Sequence, residues 1–313
     1  MKFRKQKQIF IILILIVIMV SGCENGFKVK GIREEGRYEE EPQIVVELTE
    51  GGEERLKLEN YIAGVVAGEM KSDWPVNAYA AQAILARTFA LRYLEENETE
   101  VISGNHKLAQ EYNPDKVTSS IREAVNKTRG ETVYHNDKYI KGWFHASAGG
   151  QTTSAKVGLA YEKDEPPYVV SVESPDDKAP EDVKSWQAQF KKDEIEQVLE
   201  ELGSGDVGDL KEIEILEKDN TGRVIDFNFK GSEGDEQIKA ANFRVELDSK
   251  KLKSTKIDEI ENNGDNYVFS GSGYGHGVGM SQWGAYSMAL DNVSPEDIIR
   301  HYFDNIEIVK VYE

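Results

Sequence analysis

Cysteine is almost absent: Cys23 is the only one in 313 residues. The chain therefore forms no internal disulfide, and a cysteine-built zinc cage, which needs two to four thiolates, is excluded. Positive charge is also scarce, with 38 Lys and Arg against 57 Asp and Glu and a net charge of −19. That balance argues against nucleic acid, which is held through basic contacts to phosphate, and against a broad electrostatic grip on anionic lipid. The apolar run Ile9 to Val20 is twelve residues, short of the roughly 20 a membrane span needs. The glycine run 271–279 lacks the Gly-Lys-Ser/Thr of a P-loop and the Gly-x-Gly-x-x-Gly spacing of dinucleotide folds, and a His-Glu-x-x-His helix and a Gly-x-Ser-x-Gly elbow are missing. His106, His135, His145, His276 and His301 are dispersed, so a metal site has no positive support. With 39% hydrophobic residues, the chain can still bury a core as one large domain or two modest ones.

The N-terminus reads as an export signal. Lys2, Arg4, Lys5 and Lys7 precede the apolar run, which ends in Val20-Ser21-Gly22-Cys23. This resembles a bacterial lipobox, with residues 1–22 a lipoprotein signal peptide and Cys23 the lipid anchor. The alternative is an uncleaved signal anchor. Either way the rest of the chain is expected outside the cytoplasm, on the outer face of the membrane. Residues 23–45, with Glu39-Glu40-Glu41, read as the lipidated cysteine and a solvated acidic tether.

Beyond the tether, Ile44 to Leu48 reads as a strand, and Leu58 to Asn97 as helix broken at Ser72-Asp73-Trp74-Pro75, with Asp73 as N-cap. A further helix covers Lys116 to Thr128, stopped by Gly130, and a hairpin turns at Asn136-Asp137. Lys192 to Leu202 reads as helix, followed by a loop at Gly203-Ser204-Gly205. Ile213 to Lys230 and Gln237 to Leu247 read as a β-meander, and two helices close the chain at Ser281–Leu290 and Pro295–Phe303. The fold class is α+β: a helical catalytic core over 46–313 packed with antiparallel β-structure, with a charged stretch at about 176–260 as a candidate second, smaller lobe.

Three places carry chemistry. Glu69 continues the apolar stripe of Ile62, Val65 and Val66, where desolvation would raise its pKa and make a proton donor; the plainer reading is a helix-end glutamate turned to water. His145 and Ser147 share one side of a strand before Gly149-Gly150. A nucleophile pair there competes with a tight turn holding a satisfied histidine. Alternating glycines from Gly271 to Gly279 make an unusual loop that presents His276, Gln282 and Trp283, groups suited to a sugar ring.

The runs Tyr61-Ile-Ala-Gly-Val-Val-Ala-Gly-Glu69-Met70, Trp74-Pro75, Ala81-Gln82-Ala83 and Ala86-Arg87-Thr88-Phe89-Ala90 resemble the opening block of the SpoIID/LytB family. Phe144-His-Ala-Ser-Ala-Gly-Gly-Gln-Thr152 with Pro167-Tyr168-Val169, and Gly275-His-Gly-Val-Gly-Met-Ser-Gln-Trp-Gly-Ala285 with His301-Tyr302-Phe303, resemble its middle and closing blocks. The resemblance implies a lytic transglycosylase of peptidoglycan glycan strands, without a cofactor, acting in sporulation on strands stripped by a partner amidase, stage II sporulation protein P. It carries the catalytic acid onto Glu69 and substrate contacts onto Arg87, His145, Ser147, Tyr168, His276, Gln282 and Trp283. Such an enzyme uses the 6-hydroxyl of the same sugar as nucleophile, so a second carboxylate is not obligatory. Two departures stand out. A lysine common before Ala-Gln-Ala is Ala80 here, and the zinc site of some members lacks its cysteines. The competing expectations are a non-catalytic wall-binding lipoprotein that enhances an amidase, and a solute-binding lipoprotein, which would need two similar α/β lobes.

Overall fold

A computed structural model describes residues 38–105, 109–203 and 207–313. The signal segment, Cys23, the tether up to residue 37, His106 and Ser204-Gly205 lie outside the described residues. Among the described residues no helix is long and apolar enough to cross a membrane.

The expected α+β class holds, with helices gathered around one hydrophobic core and antiparallel strands around another. The centre of the first core is the helix Val76–Glu96. Its alanines Ala78, Ala80, Ala81, Ala83, Ala86 and Ala90 are fully buried, which lets five partners approach closely: the helices Leu58–Glu69, Ser119–Lys127, Gln282–Leu290 and Pro295–Tyr302 and the strand Glu131–His135. Thr118, Ser281 and Ser294 cap three of these helices, each accepting the backbone N–H of the third helical residue. Asn136 and Asp137 take positive φ of 50° and 60°, as the tight hairpin requires.

The second core is built from two three-stranded antiparallel sheets. One is the meander Glu212–Lys218, Val224–Lys230 and Asp235–Lys239; the other pairs Ile257–Asn262, Asn266–Gly271 and Trp186–Lys191. Phe227, Phe229, Phe243 and Phe269 interlock at its centre in edge-on and tilted pairs, 4.8–6.3 Å apart.

Three expectations need correction. Gln237–Leu247 is not one strand: the chain leaves the sheet at Lys239 and runs as helix over Ala240–Asp248, because helical spacing puts Ala240, Ala241, Phe243 and Arg244 into the core. Asp73 is not the N-cap. It adopts a left-handed φ of 65°, Pro75 precedes the helix, and the Tyr79 hydroxyl secures the turn, accepting the Trp74 N–H (2.9 Å) and donating to the Lys71 carbonyl (2.7 Å). The last part of the supposed tether is folded. Tyr38 is buried against Tyr312 and donates its N–H to Val311, Glu41 binds Arg129 at 2.6 Å, and the first strand begins at Gln43.

Candidate active site

The helix Leu58–Glu69 is buried on nearly every face from Leu58 to Ala67, so it is a central element rather than an amphipathic surface one. It carries two glutamates with opposite surroundings. Glu59, near its start, receives two hydrogen bonds from Arg87 (2.7 and 3.0 Å), one from the Gly130 N–H (3.0 Å) and one from the Tyr312 hydroxyl (2.6 Å). Ten residues on, about 15 Å along the axis, Glu69 is half-buried at the last turn, and among the described residues its carboxylate has one hydrogen bond, from the Glu111 N–H at 2.9 Å. Desolvation pushes its pKa up to about 7; the Glu111 N–H opposes the rise and the Glu111 charge adds to it. A carboxyl that keeps its proton near neutrality is chemically able to donate it as a general acid.

Glycine spacing brings Glu111 there. Gly64 and Gly68 sit one turn apart, and a Cβ on either would collide with the Tyr112 ring or the Glu111 carbonyl. The 111–113 segment therefore lies directly on the helix, with Asn113 N–H bonded to the Gly64 carbonyl (3.0 Å) and Tyr61 stacked on Tyr112. Glu111 is a residue that sequence reading missed, although the Gly64-x-x-x-Gly68 pair is the signal that something packs closely.

The glycine loop closes the other side. Gly273, Gly275, Gly277 and Gly279 all have positive φ, and the loop is packed rather than loose: Ser147 and Tyr274 exchange backbone hydrogen bonds, and Met280 N–H binds the Trp143 carbonyl. A Cβ on Gly277 would strike the buried Arg223 guanidinium, which donates to the Ala148 carbonyl at 2.8 Å. The loop delivers Gln282, whose Nε2 donates to the Glu69 carbonyl and to Gln82 Oε1, both at 3.3 Å. Next to it, Trp283 forms an aromatic cluster with Trp74 and Tyr286, ring centres 4.7–5.2 Å apart. Glu69, Gln282 and Trp283 are thus brought together.

The other expected residues are placed differently. His145 and His276 pack with tilted rings, centres 5.4 Å apart, as a brace within the loop. His145 Nδ1–H donates to the Val278 carbonyl (3.2 Å), while His276 Nδ1 accepts the Val278 N–H (3.0 Å) and its other nitrogen faces the Phe144 carbonyl. Burial lowers both, His276 to about 3 with help from Arg244 and Arg223, so both rings are neutral. Ser147 is buried and donates to Asp176 Oδ2 at 2.8 Å. Asp176, another residue that sequence reading passed over, also binds Ser174, Ser281 and the Gly149 N–H. Tyr168 accepts the Lys141 N–H (2.9 Å) and packs on His135. Arg87 is fully buried against Glu59. The contacts of Ser147 and Arg87 hold the fold together and leave no face for a glycan. Among the described residues no three His, Cys, Asp or Glu side chains gather into a metal cage.

A family model described as "Stage II sporulation protein" matches residues 50–135, and a domain of unknown function matches 151–279. Stage II sporulation protein D of Bacillus amyloliquefaciens is 30% identical over 82% of this chain and 75% of its own length. This chain belongs to the SpoIID family. An uncharacterised protein of Brachyspira hyodysenteriae is 29% identical over 93% of the chain and 76% of the relative, and the amidase enhancer of Bacillus subtilis is 23% identical over 77% and 39%. In this SpoIID-family chain Glu69 falls within the matched 50–135 segment, whereas Gln282 and Trp283 lie beyond both models.

Proposed function

We propose that this protein is a lytic transglycosylase that cleaves the glycan strands of peptidoglycan between N-acetylmuramic acid and N-acetylglucosamine. The observation that carries the reading is Glu69, an acid protonated up to about pH 7 whose own carbonyl accepts Gln282, the neighbour of Trp283 in the aromatic group with Trp74 and Tyr286. Glu69 donates its proton to the glycosidic oxygen, then removes the proton of the 6-hydroxyl as that oxygen closes onto C1. The products are a new N-acetylglucosamine end and a 1,6-anhydro-N-acetylmuramic acid end. Intramolecular attack supplies the nucleophile, so one carboxyl serves both proton transfers. We further propose that the protein acts outside the cytoplasmic membrane, held by a lipid on Cys23, during sporulation, with a wall amidase of the stage II sporulation protein P type as partner.

Mass spectrometry of peptide-free glycan strands after incubation with the protein tests the reading: 1,6-anhydro ends are expected, and are expected to vanish with Glu69→Gln. A second reading, hydrolysis by water, has its own motive in Glu111, whose charge is felt at Glu69 and which would supply the second carboxylate. Reducing ends in place of anhydro ends would establish it. Glycan binding without cleavage would instead favour the wall-binding, amidase-enhancing role.

A further inference from the structure

Lys71 stands two residues beyond Glu69, so their Cα atoms are within about 7 Å. It is exposed, yet its backbone is not loose: its carbonyl accepts the Tyr79 hydroxyl at 2.7 Å. Its ammonium sits 5.3 Å from the centre of the Trp283 ring and forms no ion pair among the described residues. Asp182 lies near enough for Lys71 to help hold its carboxyl below the usual range. The larger influence there is Lys253, bonded to that carboxylate at 2.8 Å. In a chain of net charge −19, this leaves a cation on the aromatic wall, two residues from the acid, with no carboxylate in ion-pair contact among the described residues.

The chemistry of the substrate class suits it. N-acetylmuramic acid carries a lactyl group whose carboxyl is tied up as a neutral amide when a stem peptide is attached. Hydrolysis of that amide, with one water consumed, frees a carboxylate on the same sugar whose bond Glu69 protonates. We propose that Lys71 reads this free lactyl carboxylate, making it the residue by which the protein prefers peptide-free strands. The proposal rests on the transglycosylase reading for its substrate and names the group that tells a free lactyl carboxylate from its amide.

The test compares binding of two probes to the full-length Glu69→Gln protein: peptide-free strands with free lactyl carboxylates, and the same strands converted to neutral methyl amides. The free acid is expected to bind about three- to five-fold tighter at low salt, the scale of one exposed ion pair, with the preference fading at 1 M salt. Adding Lys71→Met is expected to abolish the preference, and Lys71→Arg to retain it. Burial and Glu111 set the Glu69 pKa, so Lys71→Met alone is expected to raise KM and leave the pH profile of kcat in place. Equal binding of the two probes by the Lys71 protein overturns the proposal without any appeal to a variant. An unchanged preference in a folded Lys71→Met protein overturns it as well. Absence of anhydro ends from wild-type digests would remove the transglycosylase reading, and the binding ratio would still decide the role of Lys71.

Discussion

At the scale of single residues, Glu59 and Glu69 show how one residue type does two jobs on one helix. Glu59 is surrounded by donors and Arg87, and its role is to hold distant segments together. Removing its partner with Arg87→Ala would leave a buried charge uncompensated, and a loss of about 3–5 kcal/mol is expected in urea unfolding. Glu69 has one donor among the described residues, and its proton is held to about pH 7. Turnover is therefore expected to fall as pH rises above about 7, and Glu69→Gln is expected to lower it by about two orders of magnitude or more. Stability moves the other way. Because the folded pKa lies above the ordinary value of 4.5, ionisation favours the unfolded chain. The contribution of Glu69 to stability is full below about 4.5 and is lost as pH climbs through about 7. The melting temperature of Glu69→Gln should gain on wild type across that window and run parallel to it above. A gap that stays constant from pH 4.5 to 8 would show that Glu69 titrates as an ordinary surface glutamate.

At the scale of elements, close approach decides the site. The Leu58–Glu69 helix accepts the 111–113 segment only because Gly64 and Gly68 have no side chains, and that contact supplies the Glu111 N–H donor to Glu69. Gly68→Ala would force the Glu111 carbonyl away, with an expected cost of about 1–3 kcal/mol and a drop in kcat although the acid is untouched. Normal turnover with normal melting would mean that the segment adjusts without disturbing Glu69. The Gln282–Leu290 helix shows the same dependence at Gly284, where a Cβ would meet the Tyr302 hydroxyl and Ser174. Trp283 and Gln282 are carried on this helix, so its seating sets where the aromatic wall stands relative to Glu69.

At the scale of the whole molecule, the glycine loop and the 143–153 segment form the seam between the two cores. Arg223 reaches from the meander to the Ala148 carbonyl, Lys256 Nζ donates to the Gly149 carbonyl, Thr153 binds Asp219, and Gly275 N–H binds the Lys253 carbonyl. His145 and His276 are packed into this seam as neutral rings with lowered pKa values. The unfolded chain takes up their protons from about pH 6.5 downward, whereas folded His276 resists until about 3. Their contribution to stability is thus full above 6.5 and is lost as pH falls through that window. Urea midpoints are expected to drop between pH 7 and 5, less steeply in a folded His276→Gln variant than in wild type. Parallel drops would place the acid sensitivity elsewhere, among the carboxylates.

Local pattern was enough for much of this protein. Helical spacing, a proline or capping hydroxyl at the start of a helix and a two-residue turn are set by hydrogen bonds within a few residues, so the helices from Leu58 to Glu96 and the turn at Asn136-Asp137 were legible. Glu69 was legible because a carboxyl at the end of an apolar helix is costly wherever the helix packs. What the tertiary structure alone decided is who pairs with whom. Arg87 reads as a substrate contact until Glu59 is seen beside it, Ser147 until Asp176 is, and the charged stretch hid both Asp176 and the strand Trp186–Lys191. The aspartate joins serines 29 and 105 residues away, and Gln282 reaches Glu69 across 213 residues. Pairings at such separation leave no periodic trace in the chain; they follow from which glycines let two backbones meet.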